Sequence, residues 1–509
     1  MSPPLVSPVE KASFPSSRFL GLALVLLVTA AIGMRFQGLN RTLSIDEAGT
    51  VVQATATDFW KAAQNDVHPP LYYFLLRCGQ KFTTSFAGLR LFSVACGLGL
   101  LAVAARSFRH LPSARLVAIS TAALLPGFVS SSQLIRHYAL LYLLLAVALA
   151  LAVRLYRAAT DDIPARLLMG LVLAVAAATH LITVFFLFAL APLLLWPFRH
   201  DRPIARILAL LPLVPSALLA LWFKFFFITH PAQITGGWWL SLNAGTVLEA
   251  LRGTSGWTEI QWLADAAGRH GSGSGWPVLG LALAAGLLAV VTAWGRRPAD
   301  PLVWLLPAAA VVYFAAVFVY SCAFEDVVMA RTLLPGLLPL LAGLALGIGA
   351  HPDARQRTVA AAAVVLYVTL TAIPVIRRAA NPDAGLRGLA AATNAASRPG
   401  DLLVSFRGMD CVLALYDCPP SRAEVLFLDR TKPAAPQLNE LRHRLTALER
   451  SRRVLVVYRD DYYHERYLDV FTLILAEISR SGRTPRVIWQ EHDLALLGAV
   501  PDTNGTTTP

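Results

Sequence analysis

The chain has 509 residues, of which 56% are hydrophobic and only 15% are charged, and its mean hydropathy is +0.57. A soluble domain carries about 25% charged residues, so the composition excludes a protein whose whole surface faces water. The net charge of +13 does not indicate nucleic acid as a partner, because the basic residues stand between apolar runs rather than on one polar face. The five cysteines form no Cys-x-x-Cys motif and no Cys/His cluster with metal-binding spacing.

A polar, Pro/Ser-rich segment at 1–17 is predicted to be a disordered cytoplasmic tail, and eleven apolar runs follow it. A helix needs about 20 apolar residues to cross a bilayer, so each run is a candidate span. The first run lacks a cleavage site and is predicted to be a retained signal anchor. The run 166–198 is interpreted as a hairpin that turns at Thr179-His180. The predicted spans are 18–36, 88–108, 114–133, 137–155, 166–180, 183–198, 206–227, 276–294, 302–321, 332–350 and 357–376.

The placement of Lys and Arg predicts the orientation, because cytoplasmic connectors are enriched in both. Every second connector is basic, which predicts a cytoplasmic N-terminus and, with an odd number of spans, a C-terminal part on the outside. The few cysteines and the lack of eukaryotic targeting signals favour a bacterial inner membrane. The basic connectors hold Arg106, Arg109, Arg115, Arg154, Arg157, Arg166, Arg199, Arg202, Arg206, Arg296, Arg297, Arg355 and Arg357.

Two outer segments depart from a plain connector. The segment 37–87 is basic although it lies outside, which indicates either long side chains that snorkel to the headgroups or a loop that faces an anionic ligand. The segment 228–275 contains tryptophans and predicts amphipathic helices near 244–252 and 257–268, which either anchor in the interface or cover a lipid-facing site as a lid. The residues concerned are Arg41, Lys61, Arg77, Lys81 and Arg90 in the first, and Trp238, Trp239, Trp257 and Trp262 in the second.

Residues 377–500 have a polar sequence with alternating strand and helix patterns, which predicts a small extracytoplasmic α/β domain. Cys411 and Cys418 lie in it and form either a disulfide, which an oxidising periplasm permits, or two buried thiols. Residues 501–509 are predicted to be disordered. The predicted strands are 401–406, 453–458, 486–490 and 494–499, and the predicted helices are 436–450 and 463–480.

Polar residues that are able to do chemistry are densest in the first outer segment. Asp46, Glu47, Asp66 and His68 lie within 23 positions of one another, at a membrane surface where ionisable groups often mark functional sites. The prolines that follow His68 fix the backbone and precede a new apolar stretch at 71–76. The alternative is a solvated loop with a proline-capped helix start, and spacing alone does not decide between the two.

The order of these motifs resembles the membrane glycosyltransferases of the GT-C fold, in particular the protein mannosyltransferase and aminoarabinose transferase superfamily and its bacterial relatives. The resemblance covers residues 18–376 and implies a polytopic helical protein. Each motif is short, but all of them occur in order on the predicted outer face. They are Asp46-Glu47, Asp66-Val67-His68-Pro69-Pro70-Leu71-Tyr72-Tyr73, Gln133-Leu134-Ile135-Arg136-His137-Tyr138-Ala139-Leu140, Thr179-His180, and Arg331 before Leu333-Leu334-Pro335.

The resemblance implies a polyprenyl-phosphate-linked sugar as donor and an envelope acceptor, which would be lipid A, a glycan, a glycolipid or a protein. A leaving lipid phosphate needs cationic or hydrogen-bonding partners, and the resemblance implies His68, Arg136 and Arg331. Some relatives have lysine at the position of His68 and glutamate at that of Val67. Contact of His68 with phosphate would therefore depend on its protonation, which makes Arg331 the better candidate.

Activation of the acceptor needs a general base, for which the resemblance implies Asp46, with Glu47 or Asp66 orienting the acceptor or tuning that base. Nearby arginines lower the pKa of a carboxylate, so we expect orientation to contribute more than proton transfer. No cofactor is implied, although a divalent metal held by Asp46, Asp66 and His68 stays open. The substrate pocket is predicted to contain Tyr72, Gln133, Tyr138 and His180.

Two other classes of protein share this architecture. A transporter or lipid flippase is polytopic, but it places charged or broken helices near the bilayer midplane, whereas the acidic residues here cluster at one face. A non-catalytic scaffold, whose C-terminal domain would bind a partner, predicts no dependence on Asp46. The glycosyltransferase is therefore the first hypothesis.

Overall fold

The computed structural model describes residues 17–158, 162–201, 203–228, 243–269, 276–295, 300–324, 327–380, 385–406, 415, 423–428, 434–449, 451–459, 468–491 and 494–501. The chain forms two compact units. The first unit comprises Met1–Leu39 and Asp58–Ala380, and the second comprises Asn40–Thr57 and Asn381–Pro509.

The first unit is helical, and every predicted span within it is formed by one or two helices. Six helices of the described residues are long and apolar enough to cross a membrane, and four shorter apolar helices lie at other predicted spans. The helix α2, Ile45–Thr55, belongs to the second unit. The helices of the first unit are α1 Ser17–Gln37, α3 Phe59–Gln64, α4 Leu71–Gly79, α5 Phe86–Ser107, α6 Pro112–Leu124, α7 Pro126–Ser132, α8 Tyr138–Ala158, α9 Ile163–Thr179, α10 Thr183–Leu195, α11 Pro203–Leu210, α12 Val214–Trp222, α13 Ala244–Ser255, α14 Trp257–Arg269, α15 Trp276–Trp294, α16 Leu302–Ala323, α17 Ala330–Ala350 and α18 Ala354–Ala380.

The predicted span 114–133 is a broken helix, in which α6 and α7 meet at 53°. Pro126 explains the break, because a proline pushes the preceding residue out of the helical region, and Leu125 is extended at φ −63° and ψ 124°. The break leaves carbonyls at the end of α6 without helical partners. The buried guanidinium of Arg35 donates to two of them, the oxygens of Ala122 at 2.8 Å and Ala123 at 2.9 Å.

The predicted hairpin in the run 166–198 is present as α9 and α10. His180 ends α9 in an extended conformation at φ −161° and ψ 135°, and α10 begins at Thr183. Large apolar side chains of these and other helices remain exposed, including Leu167 at 71% and Leu171 at 61%. Exposed apolar surface of this kind suits contact with lipid tails, and the chain is a multi-pass membrane protein.

The outer segments are more ordered than plain loops. Arg90, which follows segment 37–87 in the first turns of α5, is fully buried and donates to the oxygen of Leu39 at 2.7 Å, so snorkelling does not apply to this arginine. In segment 228–275, α13 and α14 confirm the two predicted helices and pack against α17 and α18. Trp238 and Trp239 lie outside the described residues, as does the side chain of Trp262.

The second unit is an α/β domain around a mixed five-stranded sheet of order β2-β1-β3-β5-β4, in which β1 pairs in parallel with β2 and β3. The four predicted strands are present, whereas β2 and α19 were not predicted. Cys411 and Cys418 lie outside the described residues. The elements are α2 Ile45–Thr55, α19 Gly385–Ala396, β1 Asp401–Phe406, β2 Ala423–Leu428, α20 Ala434–Ala447, β3 Val454–Arg459, α21 Leu468–Arg480, β4 Arg483–Glu491 and β5 Leu494–Pro501.

Both faces of this sheet are covered, because successive side chains of a strand point to opposite faces. Leu403 of β1 packs with Leu389 of α19 and with Ala48 of α2 on one face. Leu402 and Val404 pack on the other face with residues of α20 and α21. The helix α2 therefore belongs to this unit through its apolar contacts, although the sequence places it far from residues 385–501.

Candidate functional site

Three connectors at one end of the first unit bring together the rings of His68, His137 and His180, which we call the histidine cluster. The ring centroids of His68 and His137 are 4.5 Å apart, those of His68 and His180 are 4.7 Å apart, and those of His137 and His180 are 4.5 Å apart. The connectors precede α4, precede α8 and join α9 to α10. The cluster therefore depends on helix packing between residues that are up to 112 positions apart.

Local hydrogen bonds fix the backbone at His68 and the ring of His180. Oδ1 of Asp66 accepts the backbone N–H of His68 at 2.9 Å, and the prolines that follow hold the segment at the start of α4. Nδ1 of His180 accepts the backbone N–H of Ile182 at 3.0 Å. His137 is completely buried, and neither of its ring nitrogens has a hydrogen-bond partner among the described residues. A buried polar group without a partner is costly, so His137 is suited to receive one from a ligand.

Two guanidinium groups lie beside the cluster, and one tyrosine ring orders both. The guanidinium carbon of Arg136 lies 5.9 Å from the ring centroid of Tyr138, and that of Arg331 lies 5.7 Å from it. Arg136 also donates from Nη2 to Nε2 of His68 at 3.4 Å. Nε of Arg331 lies 2.8 Å from Sδ of Met329. A cation is attracted to the face of an aromatic ring, so Tyr138 helps to hold both positive charges in place.

The imidazoles of the cluster are neutral at physiological pH. Burial lowers the pKa of His68 and His137 well below the ordinary value, and the charges of Arg136 and Arg331 lower both further. The same two causes lower the pKa of His180 to about 3. Contact of His68 with phosphate was expected to depend on its protonation, and in this environment His68 offers a neutral N–H donor rather than a positive charge.

The hydrogen bonds also assign the tautomers. A guanidinium only donates, so Nε2 of His68 is an acceptor and the proton of its neutral ring is on Nδ1. Nδ1 of His180 accepts from a backbone N–H, so its proton is on Nε2. The cluster thus offers an N–H donor from each ring, next to two positive charges. This combination suits an anion with several oxygens, such as a phosphate.

A divalent metal fits the histidine cluster less well. One ligand atom of each of its three residues lies within 4.8 Å of the other two, and three histidines are a common zinc-binding set. However, the ring nitrogens of His68 and His180 that carry a lone pair already accept hydrogen bonds. The positive charges of the neighbouring guanidiniums would also repel a metal cation. The metal site predicted from Asp46, Asp66 and His68 stays a prediction. Asp46 lies in the second unit, whereas Asp66 and His68 lie in the first.

Asp66 is the carboxylate of this site in the first unit. Burial raises the pKa of Asp66, and the charge of Arg136 only partly opposes that rise. The expectation that nearby arginines would lower the pKa of a catalytic carboxylate is thus reversed at Asp66. A raised pKa makes a carboxylate a stronger base when it is ionised. Tyr73 is buried beside it, and burial followed by the Asp66 charge raises the pKa of Tyr73 well above its ordinary value.

Two residues predicted to line the pocket have structural partners. The side chain of Gln133 donates from Nε2 to the oxygen of Met34 at 2.6 Å, which ties the end of α7 to α1. The hydroxyl of Tyr72 lies 3.4 Å from Oγ of Ser93, and its ring lies 6.1 Å from that of His137. Their contact with substrate stays a prediction.

Asp46 and Glu47 open α2 in the second unit. Ser44 and Glu47 form a capping box, in which Oε2 of Glu47 accepts the N–H of Ser44 at 3.0 Å and Oγ of Ser44 accepts the N–H of Glu47 at 3.2 Å. This arrangement satisfies donors at the helix start and explains why Glu47 is fully buried. The catalytic roles of Asp46 and Glu47 stay predictions.

Sequence reasoning did not select His137 or Tyr73. Both stand next to selected residues, His137 between Arg136 and Tyr138 and Tyr73 after Tyr72. The signal that could have indicated His137 was an additional imidazole within the motif that begins at Gln133, at the predicted outer end of a span. Its burial and its missing partner depend on packing, which the sequence does not reveal.

Comparison with known proteins identifies the fold. No family model matches the chain, and no curated protein matches it. The fold is similar to that of ArnT from Cupriavidus metallidurans bound to undecaprenyl phosphate, with a TM-score of 0.52 and 12% identity over 95% of this chain and 98% of that one. The apo state of the same ArnT matches with a TM-score of 0.44 and 14% identity over the same shares. The chain therefore has a GT-C-like fold, as the sequence resemblance predicted, with a small C-terminal α/β domain.

Proposed function

We propose that the protein is a membrane glycosyltransferase that moves a sugar from a polyprenyl-phosphate-linked donor to an acceptor of the cell envelope. The observation that carries this proposal is the group of Arg136, Arg331 and the histidine cluster, which combines two positive charges with three neutral N–H donors. The similar ArnT binds undecaprenyl phosphate, which supports a lipid phosphate as the anion. We further propose the inner membrane as the location, with this site and the C-terminal domain on the periplasmic side.

The site would act mainly on the leaving group. An acceptor oxygen or nitrogen attacks the anomeric carbon, the bond from that carbon to the phosphate oxygen breaks, and the lipid phosphate leaves with the bonding electron pair. Arg136 and Arg331 would stabilise the negative charge that develops on the phosphate. Neutral imidazoles would add hydrogen bonds without depending on protonation near neutral pH.

The proton of the acceptor must pass to a base. The family resemblance assigns this role to Asp46, and the raised pKa of Asp66 makes it the second candidate within the first unit. The acceptor remains a class: lipid A, a glycan, a glycolipid or a protein hydroxyl. The transporter alternative is not supported by any specific contact among the described residues.

A transfer assay tests the proposal. Purified full-length protein would be incubated with radiolabelled polyprenyl-phosphate sugars and membrane extract, and the variants Arg331→Ala, Asp46→Asn and Asp66→Asn would be compared with Arg355→Ala. Arg355 is an exposed arginine at the start of α18, so its variant controls for loss of charge. We expect transfer by the wild type and the control, and loss of transfer in Arg331→Ala. No turnover of any donor, with all variants alike in cells, would refute the enzyme and favour transport.

A further inference from the structure

An apolar cavity lies toward the other ends of α8 and α17, the helices that begin near Tyr138 and Arg331. This cavity of about 590 Å³ lies between α5, α6, α8, α16 and α17 of the first unit. Its walls are apolar, and its mouth is basic. The wall residues include Leu100, Ala146, Leu149, Phe128, Leu338 and Leu346, and the mouth residues are Arg106, Arg109, His110, Arg154 and Arg157.

The depth of the cavity matches one leaflet of a bilayer. Along α8 the lining runs from Ala146 to Arg157, which is a rise of about 16 Å at 1.5 Å per residue. The hydrocarbon core of a bilayer is about 30 Å thick, so the cavity is as deep as an acyl chain of a single leaflet is long. Tyr138 opens α8 near the histidine cluster, about 28 Å along the helix from Arg157. The basic mouth is therefore far from the candidate phosphate site, whereas the apolar end of the cavity at Ala146 lies about 12 Å along α8 from Tyr138.

The charges at the mouth are only partly neutralised. Nη2 of Arg154 lies 2.7 Å from Oδ2 of Asp162, and Nη2 of Arg157 lies 3.8 Å from Oδ2 of Asp300. Arg109 donates from Nε to Nε2 of His110 at 2.7 Å.

Arg106 and Arg109 have no carboxylate partner among the described residues, and both are exposed. Two unneutralised guanidiniums thus stand over an apolar cavity.

We infer that this cavity binds an anionic phospholipid, with the headgroup phosphate on Arg106 and Arg109 and one acyl chain between α5, α8 and α17. Guanidinium groups bind phosphate through charge and paired N–H donors, and basic pockets between transmembrane helices bind anionic headgroups. The apolar walls exclude a free phosphate as the full occupant, because such an ion would leave them unfilled. A zwitterionic lipid matches the walls but not the net charge of the mouth.

Native mass spectrometry of the full-length protein in detergent tests the inference. Phosphatidylglycerol and phosphatidylethanolamine with the same acyl chains would be titrated separately, and the fraction of lipid-bound protein compared. Each arginine near a headgroup is worth about a fivefold change in binding. We expect phosphatidylglycerol to bind more tightly, and its affinity to fall about 25-fold in the double variant Arg106→Gln/Arg109→Gln and to stay unchanged in Arg355→Gln.

Two further variants separate the possible outcomes. Ala150→Leu adds bulk to the cavity wall and should weaken phosphatidylglycerol without any change of charge, provided that thermal unfolding shows a folded protein. Arg331→Ala should leave phosphatidylglycerol binding unchanged. Equal binding of the two phospholipids, or no effect of either cavity variant, would overturn the inference. The inference would also be overturned if undecaprenyl phosphate displaced phosphatidylglycerol and lost affinity in the Arg106→Gln/Arg109→Gln variant, because the occupant would then be the donor lipid.

Discussion

Tyr138 is the residue whose replacement tests the geometry of the proposed phosphate site most directly. Its ring centroid lies 5.9 Å from the guanidinium carbon of Arg136 and 5.7 Å from that of Arg331. A cation–π contact is worth about 0.5–2 kcal/mol, depending on desolvation, so Tyr138→Leu removes about 1–4 kcal/mol of placement energy. Since about 1.4 kcal/mol is a tenfold change in affinity, the Kd for undecaprenyl phosphate should rise by roughly 5-fold to 800-fold.

The assay is equilibrium binding of undecaprenyl phosphate to the purified protein in detergent. Tyr138→Phe is the matched control, because it keeps the ring that faces both guanidiniums and removes only the hydroxyl. It should bind within about twofold of the wild type. Thermal unfolding of each variant shows whether the protein is folded at the assay temperature, since Tyr138 is only 4% exposed and its truncation leaves a cavity.

Two results would refute this reasoning. If Tyr138→Leu binds undecaprenyl phosphate as tightly as the wild type, the two guanidiniums either do not depend on the ring or do not bind the phosphate. If Tyr138→Phe and Tyr138→Leu lose affinity equally, the hydroxyl rather than the ring is the important group. In either case the arrangement of the site would have to be explained without cation–π contacts.

Three further predictions concern stability. The pKa of His180 is about 3 in the folded protein and near 6.5 when unfolded. The unfolded state therefore binds more protons between these values, and the stability of the fold decreases as pH drops below about 6.5. His180→Gln should reduce this loss of stability in acid, as melting temperatures measured from pH 7 to pH 4 would show. A Cβ on Gly38 would lie 2.4 Å from the side chain of Gln133. Gly38→Ala should therefore lower the free energy of unfolding by about 1–3 kcal/mol, and by less when Gln133 is also replaced by alanine. An equal decrease with and without Gln133→Ala would show that the clash is absent. Asp401 accepts the backbone N–H of Arg453 at 3.0 Å and forms an ion pair with its guanidinium at 3.1 Å. Asp401→Ala should therefore destabilise the second unit by about 3–5 kcal/mol, and Asp401→Asn should destabilise it by less. Hydrogen exchange of the backbone amides of the sheet would measure both effects.

Much of the membrane part was predictable because its signals are local. The length of an apolar run determines whether a helix can cross a bilayer, and each of the eleven runs is helical. The prolines at Pro69-Pro70 predicted a helix start, and α4 begins at Leu71. The break at Pro126 follows from equally local sterics, but its effect on the span 114–133 was not predicted, because a hydropathy pattern averages over it.

The candidate site was predictable only in part. The residues His68, Arg136, His180 and Arg331 were selected by their motifs, and the structure places all four in the first unit. The direction of the pKa change at Asp66 was not predictable, because burial of this carboxyl outweighs the charge of the neighbouring Arg136. At His68 burial and the neighbouring positive charges lower the pKa together. The membership of α2 in the second unit was missed as well, since it depends on the packing of Ala48.

The sequence by itself determined that the chain is a multi-pass helical membrane protein with a small α/β domain, because hydrophobic run length and period are properties of neighbouring residues. It also located the motifs of the candidate site at the ends of the predicted spans. Only the tertiary structure decided that three imidazoles meet beside two guanidiniums, that these imidazoles are neutral, and that His137 is buried with no hydrogen-bond partner in the described part of the chain. Contacts and desolvation between distant segments arise from packing, and no local pattern in the sequence records them.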